Sequence, residues 1–257
     1  MKAMILAAGL GTRLRPLTND RPKALVEVAG HTLLEITLRR LASFGISEVI
    51  VNVHHFADSV IEYLQKNHNF GLRIEISRED DLLLDTGGGL KKAAWFFLEG
   101  HGHEPFLLHN VDVISTIDLR RMLQFHRENN ALATLAVQPR ETARRLLFDQ
   151  DSQLCGRQTG KGAADIVRPT SETTALAFSG IHVISPEFLE MINEQNAFSI
   201  ITTYLHLAGL GQRILGFRAD EYYWRDLGKP EHIAQATADM NQRVLTLPGA
   251  FKADSKQ

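Results

Sequence analysis

Short apolar runs alternate with helically spaced stripes along most of the chain. Met4-Ile5-Leu6-Ala7 is a continuous apolar run, the pattern of a strand covered on both faces. A Gly-rich segment follows from Gly9 to Lys23, in which Pro16 and Pro22 prevent one long helix. Leu34, Ile36, Leu38 and Leu41 predict a helix over Leu33 to Leu41, closed near Gly45. Val49 to Val53 reads as a strand, Val60, Ile61 and Leu64 as a helical stripe, and Leu72 to Ile76 alternates as a strand does. Gly87-Gly88-Gly89 opens a predicted helix through Ala94 to Leu98, and Pro105 to Leu108 is a strand running into Asn110-Val111-Asp112. A helix around Leu119 to His126 then precedes a strand from Ala133 to Val137.

This alternation predicts an α/β fold: a mostly parallel, Rossmann-like sheet sandwiched by helices. From 140 to 175 the pattern loosens into polar, turn-forming stretches with short apolar runs such as Leu146-Leu147-Phe148, which predicts a small antiparallel flap inserted in the second half. Strand-like Phe178 to Ile184, helices near Pro186 to Ile192 and Ile200 to Leu207, a strand from Arg213 to Phe217 and a helix from Pro230 to about Val244 complete the reading. The expected organisation is one domain over 1–245, with a first part to about 138, a second over about 139–228, and a tail over 246–257 whose end, from Ala253, is loose.

Composition narrows the function. With 257 residues, 44% hydrophobic and 23% charged, the chain is that of an ordinary globular protein. A formal charge of −2 supplies no global field toward nucleic acid or anionic membrane, so polyanion binding must be local. Cys155 is the only cysteine, which excludes a disulfide framework and a cysteine zinc site. No apolar stretch reaches the length of a membrane span, and a cytoplasmic location is the expectation.

The chemistry concentrates in Leu6-Ala7-Ala8-Gly9-Leu10-Gly11-Thr12-Arg13-Leu14-Arg15-Pro16-Leu17-Thr18 and Pro22-Lys23. Small residues directly after a buried strand let backbone N–H groups approach a phosphate chain, at the strand end where open α/β sheets bind ligands. Arg13 adds a planar fork for phosphate oxygens and Lys23 a point charge. The P-loop ending is absent, and Leu14 stands where a dinucleotide motif needs its third glycine. A bare Gly-x-Gly is also compatible with a simple tight turn. The longer string, however, resembles the signature of the sugar-1-phosphate nucleotidylyltransferases, Leu-Ala-Ala-Gly-x-Gly-Thr-Arg-Leu-x-Pro-Leu-Thr followed by Pro-Lys, at every defined position. The resemblance implies a nucleoside triphosphate and a sugar 1-phosphate as partners, with the nucleotide against Ala7, Ala8, Gly9, Gly11, Thr12 and Arg13. Arg13 would grip the triphosphate, and Lys23 would bind phosphate in the reacting complex.

Such a transfer calls for a cation, and magnesium held by carboxylates and substrate phosphates serves many phosphoryl-transfer sites. Asp112 follows a predicted strand, and Asp226 lies in Trp224-Arg225-Asp226-Leu227-Gly228; each alone is also compatible with a turn or helix-cap role. The resemblance assigns both to magnesium and makes Asp112 catalytic with Arg13 and Lys23. It also exposes a departure: Val111 stands where the family has glycine, and its methyls are expected to crowd the sugar phosphate or alter the strand-end turn.

Asp85-Thr86-Gly87-Gly88-Gly89 is a second Gly-rich element, against which a flat base can lie; its plain alternative is a turn capping the following helix. The resemblance brings Thr86, Gly87 and Gly88 to the nucleotide, and Asn110, Arg168, Ser179 and Gly180 to the sugar phosphate. The form of this element, with Phe178-Ser179-Gly180-Ile181-His182-Val183, is similar to N-acetylmuramate-1-phosphate uridylyltransferases of cell-wall recycling. A mannose- or heptose-1-phosphate guanylyltransferase, a nucleotide-sugar-dependent glycosyltransferase and a catalytically weak nucleotide-binding module stand as alternatives. His54-His55 and His101-x-His103 lack partners at metal-ligand spacing. Arg120-Arg121 and Arg144-Arg145 read as solvated, Cys155 as inert, and Trp95 to Phe97 as helix packing. The sequence leaves the oligomeric state open.

Overall fold

The computed structural model describes residues 1–99, 104–160 and 162–246. The first half runs β1 (Lys2–Leu6), a hairpin of β2 (Glu27–Val28) and β3 (His31–Thr32), α1 (Leu33–Ser43), β4 (Glu48–Val53), α2 (Ala57–Lys66) and β5 (Arg73–Arg78). It continues with α3 (Asp85–Lys92), α4 (Ala94–Leu98), β6 (Phe106–Asn110), β7 (Val113–Ser115), α5 (Leu119–Glu128) and β8 (Ala133–Gln138). The second half holds β9 (Arg144–Phe148), β10 (Leu154–Thr159), β11 (Asp165–Ile166), β12 (Thr174–Ile184), α6 (Glu187–Glu190), α7 (Ile200–Gly209), β13 (Ile214–Arg218), β14 (Trp224–Asp226) and α8 (Pro230–Asn241).

Strands β5, β4, β1 and β6 are parallel neighbours. Beyond them β12 pairs antiparallel with both β6 and β8, and β13 is parallel to β8. The expected α/β sheet is therefore present, mostly parallel in its centre. Alternating side chains divide between its two faces. Ala3, Ile5, Val49, Val51 and Leu107 pack into one core with residues of α1, α2, α5 and α8. Met4, Ile50, Phe106 and Leu108 pack into the other with residues of α3, α4, α6 and α7. β1, β4 and β6 are covered on both sides, which is why β1 and β4 read as nearly unbroken apolar runs, whereas the edge strand β5 packs on the first core only.

The flap is also present. β9, β10 and β11 form antiparallel pairs, and β9 joins the long β12 through Thr174–Leu176. Between Phe178 and His182 the register of β12 against β8 shifts, and Gly180 sits there at φ 73. One strand thus serves both the central sheet and the flap, with a bulge at the joint.

Some boundaries differ from the sequence reading. The three glycines lie inside α3, which begins at Asp85, and Ala93 separates it from α4. The expected helix over Pro186 to Ile192 shortens to α6, and the last helix stops at Asn241. His101, His103 and the tail from 247 lie outside the described residues.

Candidate active site

The site grows from the carboxyl ends of β1 and β6. After β1 the chain makes two single helical turns, Thr12–Leu14 and Lys23–Leu25, broken by the prolines between them. Gly11 takes φ 65, and a Cβ there would meet Thr18 Cγ2 at 3.0 Å and Lys23 Cβ at 3.2 Å. Thr18 Oγ1 closes the loop by donating to the Gly11 carbonyl at 2.8 Å. Gly9 differs: a Cβ built on it meets no atom within 4 Å. Packing does not demand glycine at position 9; the space beside it belongs to a cavity.

That first cavity, about 460 Å³, is lined by Ala7, Ala8, Gly9, Lys23, Asn52 and Thr86 among others, with Val111 and Asp112 at its strand-end side. Asn52 Oδ1 accepts the Ala7 N–H at 2.7 Å, while its amide donates to Glu79 Oε1 at 2.7 Å. Glu79, nearly fully buried, also accepts the Leu84 N–H at 2.9 Å. This chain of bonds fixes the backbone after β1 relative to the start of α3.

Of the second Gly-rich element, Asp85 and Thr86 line the first cavity. Gly87 and Gly88 turn against the loop before α7: a Cβ on Gly87 would fall 2.3 Å from the Phe198 ring, and one on Gly88 would fall 2.6 Å from the Asn196 carbonyl oxygen. The Gly87 N–H donates to the Phe198 carbonyl at 2.9 Å, and Thr86 Oγ1 accepts from Ile200 N at 3.0 Å. These two glycines allow α3 to pack closely on the loop before α7, and Asp85 and Thr86 are the part of the element that lines the first cavity.

A second cavity, about 860 Å³, adjoins the first at Asn110, which lines both. Its walls include Arg13, Gly180, Trp224 and Asp226, with Arg140, Arg144, Arg145 and Arg157 toward the flap. The two cavities meet where β7 and β14 pair antiparallel. Asp226 lies opposite Val113, and the Leu227 N–H donates to the Asp112 carbonyl at 2.8 Å. Two aspartates far apart in the chain thereby sit at adjacent positions, Asp112 lining the first cavity and Asp226 the second.

Charge is dense at this seam. Lys23, mostly buried, forms an ion pair with Asp112 through Oδ2. Asp226 Oδ1 accepts the Gly228 N–H at 2.7 Å. A Cβ on Gly228 would fall 2.7 Å from that oxygen and 2.8 Å from Arg13 Nη2, which places the Arg13 guanidinium beside Asp226. Arg13 therefore borders the second cavity rather than the first. Arg140 stacks 3.4 Å from the centre of the Trp224 ring and donates to the Phe178 carbonyl at 2.9 Å and Gln138 Oε1 at 3.1 Å. Burial pushes its guanidinium down to about 10, against the pull of Asp226. Trp224 is itself held by its indole N–H, which donates to the Ser179 carbonyl at 2.7 Å.

The remaining candidates separate cleanly. Ser179 is fully buried and reaches the site only through that carbonyl, whereas Gly180 lines the second cavity. Arg168 is not brought to either cavity: its guanidinium donates to Gln153 Oε1 at 2.5 Å on the flap. Arg144 and Arg145, which the sequence pattern reads as solvated, form part of the wall of the second cavity together with Arg140. The signal for all three was the arginine density of 140–145 just after a core strand. Val111 is 4% exposed and packs into the core, its N–H donating to the Leu6 carbonyl at 3.1 Å. Val111 also lines the first cavity and is not among the residues lining the second. Among the described residues no cluster of three or more His, Cys, Asp or Glu stands ready for a metal. The buried Cys155 thiol is pushed up by burial, in line with an inert role.

A family model described as nucleotidyl transferase matches residues 2–243 of this chain. The chain belongs to that family of enzymes. N-acetylmuramate alpha-1-phosphate uridylyltransferase of Caulobacter vibrioides is 37% identical over 236 residues, covering 89% of this chain and 92% of that protein. A mannose-1-phosphate guanyltransferase of Yarrowia lipolytica is 29% identical over 92% of this chain, which spans 63% of that relative's length. Among solved structures, HddC from Yersinia pseudotuberculosis complexed with GMP-PN has the same fold, with a TM-score of 0.74 at 21% identity over 93% of this chain and 99% of that one. Among the described residues of this nucleotidyl transferase, no helix is long and apolar enough to cross a membrane.

Proposed function

We propose that this nucleotidyl transferase couples uridine triphosphate to N-acetylmuramate 1-phosphate, giving the nucleotide-sugar and pyrophosphate. The observation that carries the reading is the seam: two adjoining cavities with one aspartate lining each. The signature loop after β1 fits a triphosphate in the first cavity, and the larger second cavity has room for a sugar phosphate. The choice of uridine and of N-acetylmuramate is supported by the Caulobacter relative, whose length the chain nearly spans. Both substrates are phosphorylated metabolites, so the reading implies a cytoplasmic enzyme serving the cell wall.

A phosphate oxygen of the sugar 1-phosphate attacks the α-phosphorus. The new P–O bond forms as the α–β bridging bond breaks, and pyrophosphate carries away the electron pair. No general base is required, because a phosphomonoester with its second pKa near 6 is already dianionic at neutral pH. The protein's task is to bring two polyanions together in line and hold them there. Lys23 and Arg13 border the two cavities and offer positive charge to each. Arg140, with no carboxylate within ion-pair distance among the described residues, offers a fixed fork on the sugar side.

The carboxylates fit magnesium. Asp112 and Asp226 are hard oxygen donors, and in each one oxygen is engaged by the protein, Oδ2 by Lys23 and Oδ1 by the Gly228 N–H. Magnesium favours one or two carboxylates completed by phosphate and water, and here it would neutralise charge on the transferring phosphate. Mixing the four common triphosphates with N-acetylmuramate 1-phosphate and following pyrophosphate release tests the reading. Asp112→Ala and Asp226→Ala should each lower turnover by about a hundredfold or more in folded protein. Full activity of both variants would remove the metal assignment.

A further inference from the structure

The sugar-side cavity carries more positive charge than a phosphate transfer requires. Five arginines line it, and Asp226 is the acid among its lining residues. Arg13 lies beside Asp226, and Arg140 is fixed on Trp224, also near Asp226, so both stand where the sugar's C1 phosphate must arrive. Arg157 is paired with Asp165 at 3.1 Å. Arg144 and Arg145 have no ion-pair partner among the described residues, and they sit on β9 at the flap wall. Unpaired like charges gathered around one cavity repel one another, a cost that a bound anion reverses. In a chain with net charge −2, nothing global requires such a cluster.

Position separates the two groups of arginines. On β12, Ile181 lies opposite His109 of β6, and Leu176 lies opposite Leu146 of β9. Continued by one and two residues, that register sets Arg145 and Arg144 beside Ala177 and Phe178, four and three residues from Ile181, which at about 3.3 Å each is roughly 10–13 Å along the sheet from the end of β6. A C1 phosphate held at the aspartates, one pyranose ring and a long arginine side chain reaching back together fill that span.

Building on the proposed activity, we infer that Arg144 and Arg145 read a carboxylate on the sugar, so that the enzyme selects sugar 1-phosphates bearing an acid group away from C1. A planar guanidinium forms paired, charge-assisted hydrogen bonds with a carboxylate. A neutral sugar leaves this wall unsatisfied. Selectivity for the acid sugar is thus set on the flap, while the transfer itself is set at the seam.

The test uses the whole chain with uridine triphosphate, magnesium, and two sugars that differ by a lactyl ether, N-acetylmuramate 1-phosphate and N-acetylglucosamine 1-phosphate. The readout is the ratio of their kcat/KM values. The wild type should favour the lactyl sugar, and R144Q and R145Q should each shrink the ratio by about tenfold, with the double variant near parity. A ratio near one in the wild type, or one unchanged in the double variant, overturns the inference while leaving the transfer activity in place. Turnover of a bisphosphorylated sugar in preference to the lactyl sugar also overturns it, since the wall then reads phosphate. Absence of pyrophosphate release with every sugar phosphate and triphosphate removes the proposed function itself.

Discussion

Three glycines of the site are glycine for different reasons. At Gly11 the backbone requires it, because φ is 65 and a Cβ would press on Thr18 and Lys23. At Gly228 two functional side chains require it, since a methyl would displace the Asp226 carboxylate and the Arg13 guanidinium. At Gly9 no protein atom requires it, and the space beside it is the first cavity, where the proposed function places the nucleotide. Gly9→Ala should therefore leave the urea midpoint within about 0.5 kcal/mol of wild type, or slightly raised, while KM for the triphosphate climbs roughly tenfold. An unchanged KM would show that the nucleotide lies elsewhere. For Gly228→Ala we expect a loss of less than about 1 kcal/mol in stability, because the obstructing atoms are mobile side-chain ends, but a fall in kcat of about tenfold or more. Comparable kcat in the variant would mean that the crowded pair is not used in turnover.

At the scale of elements, β14 and the bulge in β12 act together. The Ser179 carbonyl, turned by the bulge, holds Trp224, and Trp224 carries Arg140 on its face. Gln138 Oε1 steadies the same arginine, while its amide donates to the Ala219 and Tyr222 carbonyls. Trp224→Phe deletes the indole hydrogen bond, at a cost of about 1 kcal/mol, and loosens the cation's platform. KM for the sugar phosphate should increase several-fold more than KM for the triphosphate in steady-state assays. Equal increases would argue against a sugar-side role for Arg140. The sequence could not reveal this unit, because β7 and β14 span three residues each and are too short for a readable period. The triple glycine shows the same limit: glycine permits both ligand approach and helix packing, and only the tertiary structure brings Phe198 and Asn196 against Gly87 and Gly88.

Over the whole molecule, buried histidines tie stability to pH. Burial pulls His109 and His182 down to about 3 and His126 to about 4, so the folded protein keeps all three neutral through mild acid. The unfolded chain takes up protons near 6.5. Between about pH 6.5 and 4 the unfolded state therefore binds more protons, and stability falls as pH falls. Each histidine should remove on the order of 1–2 kcal/mol between pH 7 and pH 5. Urea midpoints measured across that range check this, and a flat profile would mean that the rings are not buried as neutral groups. His109 is also packed against the buried Arg40, whose Nη1 lies 3.2 Å from its Nε2, so protonation there adds repulsion to desolvation.

The sequence by itself determined the kinds of elements and the chemistry of the first loop. Short apolar runs bounded by turn residues read as interior strands, and the string from Leu6 to Lys23 carries the family signature in its glycines, arginine and lysine at fixed spacing. It also supplied both aspartates, one at a time. Tertiary structure alone decided that Asp112 and Asp226 meet, that Arg13 turns toward the second cavity, that Arg168 stays on the flap and that the 140–145 arginines line the second cavity. Local patterns report what each residue prefers among its chain neighbours, whereas those four outcomes depend on strand pairings between distant segments, and no local preference encodes a distance across the sheet.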